Sequence, residues 1–130
     1  MLKKVSNECE RSNKTIEVLL QVNTSGEKQK TGFQMDNIEE IIKCYEIPNV
    51  DITGLMTMAP YTRDKNLIRE TFSLLRDIKE KTNKYLGENQ VKHLSMGMSN
   101  DYEIAIEEGS TQIRLGTVLF GFRKKVYSGL

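Results

Sequence analysis

The residues best suited to chemistry lie between His93 and Gly121. Two short apolar runs, Leu94–Met98 and Ile113–Leu115, each end in small or hydroxylated residues. Gly97 and Ser99 end the first run, and Gly116 and Thr117 the second. A short helical pattern lies between them, opened by Ser99 or Asn100 and closed by Gly109. This is a βαβ unit with polar turns at the carboxyl ends of its strands. Such turns lead into helix starts, where backbone N–H groups lack partners and favour an anion such as phosphate. A simple helix cap is the competing account of Ser99, and the two roles are compatible. At Gly116 the missing side chain lets the backbone approach a ligand; the alternative is only a tight strand-to-helix turn. Arg114 stands inside an apolar run, where a charge is costly unless it is paired or directed at a ligand. A buried Arg–carboxylate pair is the plainer account of it.

Around this stretch the chain alternates strand and helix. Residues 2–13 read as a helix, with Leu2, Val5 and Cys9 on one face. Ile16–Val22 is a near-continuous apolar run of the kind buried on both faces of a parallel sheet. Asn23–Thr31 is a polar loop. Asp36 is placed to cap the next helix with Glu39 three residues on, its buried stripe being Ile38, Ile41, Ile42 and Tyr45, and Pro48 ends it. Strands are expected at Val50–Met58, Lys92–Met98 and Gln112–Leu115. A long helix from Asn66 to Leu86 buries Ile68, Phe72, Leu75 and Ile78, with Gly87 just past its end. A short helix covers Asn100–Glu108, and another opens at Val118. Four successive strand–helix units predict parallel strands in sequential order with the helices on one side. In an α/β barrel the carboxyl ends form the functional rim, which places Asn23, Thr57 and Tyr61 on it as ligand contacts or loop caps.

With 130 residues the chain reads as one domain. A net charge of +1, with basic residues interspersed among acidic ones, gives no electrostatic case for nucleic acid or a membrane surface. No apolar stretch approaches the ~20 residues of a membrane span, and the N-terminus lacks a signal-peptide pattern. Cys9 and Cys44 have no metal-type spacing and read as reduced packing residues, which points to the cytoplasm and to no metal. His93, the one histidine, lies at a strand entrance, away from the polar turns.

Leu94–Ser99, Ala105-Ile106, Gly109–Thr111 and Arg114–Gly121 together resemble the signature of the pyridoxal-phosphate homeostasis proteins, the YggS/PROSC family. Gln21-Val22-Asn23, Lys30-Thr31-Gly32 and Gly54-Leu55-Met56-Thr57 extend the resemblance upstream, so that it runs from about Ile16 to Arg123. It implies the second half, strands 5 to 8, of a (β/α)8 barrel like that of alanine racemase, residues 1–130 forming a single partial domain. The implied cofactor is pyridoxal 5'-phosphate. Ser99, Gly116 and Thr117 would hold its phosphate, the backbone of Met98 would line the pocket while its side chain joins the core, and Arg114 would stand beside the pyridine nitrogen. No catalytic residue is assigned, and the implied role is to carry the cofactor with little or no turnover. The family's Schiff-base lysine belongs to the other half. Every lysine here, Lys30, Lys124 and Lys125 included, falls on a helix, in a rim loop or at a strand start. Part of an alanine-racemase-type enzyme, and a non-covalent phosphate-binding or structural half-barrel, remain as alternative readings. Four strands leave two bare parallel edges and expose barrel-interior side chains such as Leu20, Val22, Leu55 and Met96 or their neighbours. The missing half, a second copy or another chain is therefore expected to cover them.

Overall fold

The computed structural model describes residues 1–28 and 31–123. Lys30 of the upstream motif, Lys124 and Lys125 lie outside the described residues. The elements run α1 (Leu2–Arg11), β1 (Ile16–Asn23), β2 (Phe33–Gln34), α2 (Ile38–Cys44), β3 (Val50–Met56), α3 (Lys65–Leu86), β4 (His93–Met98), α4 (Tyr102–Glu107), β5 (Gln112–Arg114) and α5 (Thr117–Phe120). The five strands form one sheet in the order β2-β1-β3-β4-β5, and every pairing is parallel. The four expected strands are present in sequential order. The addition is β2, a two-residue strand that pairs with the end of β1 through Val22 and Phe33.

All strands being parallel, their carboxyl ends lie along one rim. Helices α1 to α4 pack on one face. Leu20, Val22, Ile52, Leu55, Leu94 and Met96 of the strands join Ile41, Ile68, Phe72, Leu75 and Ala105 of α2, α3 and α4 in a single core. This corrects the expectation for Leu20, Val22, Leu55 and Met96, each of which is no more than 5% exposed. They pack against the chain's own helices. Leu20, Leu55 and Leu94 are in register, and the next row, Gln21, Met56, Ser95 and Gln112, takes the opposite face by strand alternation. The face turned away from the helices is therefore partly polar.

Local signals explain most boundaries. The Asp64 carboxylate caps α3, accepting the N–H groups of Asn66 and Leu67 at 3.0 and 3.2 Å. Gly87 ends it in the left-handed conformation, φ 73°. α2 departs from expectation: Asn37 occupies the N-cap position without a side-chain bond, and Asp36 lies in the preceding turn. Gly54 is required by packing, since a Cβ there would collide with the His93 carbonyl of the neighbouring strand. Arg69 and Arg76 of α3 both bind the Glu108 carboxylate at 2.8 Å, clamping α3 to the end of α4. Cys44 is buried, its thiol pushed up by burial and then by Glu40, and Cys9 is half-buried; both are free thiols.

Candidate functional site

The rim brings the two polar turns together. Ser99 follows β4 and Gly116 precedes α5, and Ser99 Oγ accepts the N–H groups of Gly116 and Val118, each at 3.3 Å. Ser99 is thus not the cap of α4. Asp101 holds that position, with its carboxylate turned back to accept the Met98 N–H at 2.7 Å. This bond closes the turn after β4 and presents Ser99 toward the β5 side. Gly97 makes the turn possible. Its φ is +101°, and a Cβ there would lie 2.6 Å from Cβ of Ala105.

Gly116 behaves differently. A Cβ added there meets no atom of the described residues within 4 Å. The packing of the described residues does not demand a glycine at this position, and they leave the space beside its backbone open. Thr117 begins α5 and is exposed. Met98 is 43% exposed, which corrects the expectation that its side chain joins the core. The physical reason is its position: it ends β4 at the rim, beyond the reach of the helix-side core.

Arg114 ends β5. A Cβ on Gly97 would point at Ala105 of α4 and also at Ile113, so Ile113 lies on the helix side. Arg114, next along the strand, takes the opposite face. Its Nη2 donates to the carbonyl of Thr57, just past β3, at 2.9 Å, reaching past β4. Its Nε is buried without a hydrogen-bond partner. No carboxylate among the described residues lies within ion-pair distance of it, so the buried Arg–carboxylate pair is not formed. Burial lowers the guanidinium pKa from its ordinary value, while the more distant Asp101 charge opposes that shift. A half-buried cation with one enclosed donor unpaired carries a desolvation cost that no carboxylate among the described residues offsets.

Of the other rim residues, Asn23 is a loop organiser. Its amide donates to the Glu27 carbonyl at 2.7 Å, and its carbonyl accepts from the Ser25 hydroxyl at 3.0 Å. Thr57 is 1% exposed and fully engaged. Tyr61 is 94% exposed and borders a cleft of about 430 Å³ with Met58, Met98 and Asp101. His93 begins β4, at the end of the sheet away from this rim. Asp101 and the carbonyl role of Thr57 were not foreseen. An Asp three residues after a strand end is a readable turn signal, whereas a backbone acceptor leaves no trace in sequence.

A parallel α/β sheet with two polar turns meeting at its carboxyl-end rim defines a broad class. Comparison with known proteins narrows it: the family model described as alanine racemase, N-terminal domain, matches residues 1–124. The chain belongs to that family. It is 42% identical over 115 residues to the pyridoxal phosphate homeostasis protein of Aquifex aeolicus, covering 88% of this chain and 50% of that protein. The structure of PipY from Synechococcus elongatus with pyridoxal phosphate bound superposes with a TM-score of 0.75 at 27% identity, covering 92% of this chain and 54% of that one. An alanine racemase of Clostridium difficile shares the fold, with a TM-score of 0.74 at 18% identity over 96% of this chain and 33% of that one. The chain spans about half the length of the curated relatives it matches. Among the described residues no helix is long and apolar enough to cross a membrane.

Proposed function

We propose that this rim holds pyridoxal 5'-phosphate as part of a cofactor-homeostasis protein. The observation that carries the reading is the convergence of Ser99 with the amides of Gly116 and Val118, on the same rim as the unpartnered Nε of Arg114. Ser99, Gly116 and Thr117 hold the phosphate and the backbone of Met98 lines the pocket. The open space at Gly116 suits that role. Bound there, the cofactor supplies an aldehyde and an electron-withdrawing ring. Arg114, held by a neutral carbonyl rather than a carboxylate, is not neutralised by an ion pair and would turn its charge toward the ring. A cation beside the ring nitrogen opposes its protonation and weakens the ring as an electron sink. That chemistry suits carriage rather than turnover. The names of the curated relatives support it.

The described lysines lie on α1, α2 and α3, in loops or just before β4, so the chain holds the cofactor non-covalently and weakly. The sheet forms one side of a (β/α)8 barrel wall. Among the described residues β2 and β5 end the sheet with free edges, and Val118, Leu119, Phe120 and Phe122 beyond β5 are all more than half exposed. Bare parallel edges beside apolar surface call for further strands, from the missing half, a second copy or another chain. A cytoplasmic setting fits the two free cysteines.

Equilibrium dialysis of the purified chain tests the reading. Pyridoxal phosphate is retained, while pyridoxal, which lacks the phosphate, is retained at least about tenfold less. Borohydride fixes no adduct on any lysine. Equal retention of the two compounds, or of neither, contradicts the proposal.

A further inference from the structure

Thr57, at the rim, makes four hydrogen bonds among the described residues. Its N–H donates to the Ser95 carbonyl of β4 at 3.1 Å. Its hydroxyl donates to the Val22 carbonyl of β1 at 2.8 Å. The Thr24 hydroxyl lies 2.9 Å away, and because the Thr57 proton is already committed to Val22, Thr24 is the donor in that pair. The Thr57 carbonyl accepts Arg114 Nη2 at 2.9 Å. One residue just past β3 therefore ties together β1, β4 and β5. Both hydroxyl bonds are buried, where they are hard to exchange for water.

We propose that Thr57 is the positioning residue for Arg114: its hydroxyl bonds fix the peptide whose carbonyl holds the guanidinium on the rim. The choice of acceptor matters. A carboxylate would hold Arg114 as well but would neutralise it. A backbone carbonyl restrains one Nη and leaves the charge unneutralised and the Nε donor unpaired. The carbonyl can aim the guanidinium only if its own peptide plane is fixed, and the hydroxyl contacts to Val22 and Thr24 provide that. The inference rests on the cofactor reading for its functional consequence, and on the chain alone for its geometry.

The test uses the whole chain without cofactor and reads the Arg114 side chain by nitrogen-15 NMR. In the parent chain the Arg114 Nη resonances are resolved, because a held guanidinium rotates slowly. In Thr57→Val, which keeps the branched shape and loses the hydroxyl, they collapse into an averaged signal, and pyridoxal phosphate affinity falls roughly tenfold. Thr57→Ser restores both. Should Thr57→Val fail to fold, Thr57→Cys is read in its place: its weak donor gives averaged Nη signals. Parent-like Arg114 signals in a folded Thr57→Val or Thr57→Cys chain overturn the proposal, as does their loss in Thr57→Ser. If the parent chain retains no pyridoxal phosphate yet Thr57→Val releases Arg114, the cofactor reading fails and the positioning role stands.

Discussion

Ser99 Oγ accepts the Gly116 amide at 3.3 Å across 17 residues of chain, so the turn after β4 and the turn after β5 meet at a single hydroxyl. The Val118 amide shares that acceptor. These donors already face one point, and an anion that takes the place of the hydroxyl meets them pre-aligned. Ser99→Ala removes the hydroxyl from an exposed site. It is expected to lower pyridoxal phosphate affinity by roughly tenfold, the worth of one charge-assisted hydrogen bond. Its effect on the melting temperature is small, because water reaches both amides. Equilibrium dialysis and thermal melting of the variant check the two expectations.

Two glycines of the same βαβ unit should respond oppositely to alanine. At Gly116 an added Cβ meets nothing within the described residues. Gly116→Ala is therefore expected to leave stability within about 0.5 kcal/mol of the parent and to weaken pyridoxal phosphate binding at least tenfold, because the Cβ enters the proposed cradle. Gly97→Ala places its Cβ 2.6 Å from Ala105 with φ at +101°. It should cost about 2–3 kcal/mol of stability. Urea unfolding of both variants beside phosphate-ligand dialysis separates a binding glycine from a packing one.

Acid should loosen the α3–α4 clamp. Hydrogen bonds from Arg69 and then Arg76 hold the Glu108 carboxyl below its ordinary value of 4.5, against an opposing contribution from burial. A depressed folded value means the clamp's contribution is complete above about pH 4.5, and is lost as pH falls through the lower, folded-state value. Urea midpoints measured from pH 6 to pH 3 should converge between the parent and Glu108→Gln. A constant gap across that range contradicts the assignment.

The architecture was legible because periodicity and caps carry it. The apolar stripe Ile68, Phe72, Leu75 and Ile78 marked the inner face of α3, and all four are buried. Gly87 marked its end. β2 was not legible: Phe33 and Gln34 follow a polar loop and are too short to show alternation. The orientation of β1 and β3 was not legible either. In near-continuous apolar runs either face reads as core, and the register shift between Val18 and Leu19 alters which residues align. Only the pairing of Leu20 with Leu55 and Leu94 reveals which row meets the helices. Of the site, the meeting of Ser99 with Gly116 was readable from the two polar turns. The grip of the Thr57 carbonyl on Arg114 was not, because a backbone acceptor has no residue type.

The most direct measurement of the cofactor site is an amide NMR titration of the chain with pyridoxal phosphate. The account predicts that the Gly116 and Val118 amide resonances move together with those of Ser99 and Thr117, and that the Arg114 Nε–H resonance moves with them, while His93 at the far end of β4 stays in place. Saturating cofactor that leaves the Gly116, Val118 and Arg114 signals unmoved would contradict it.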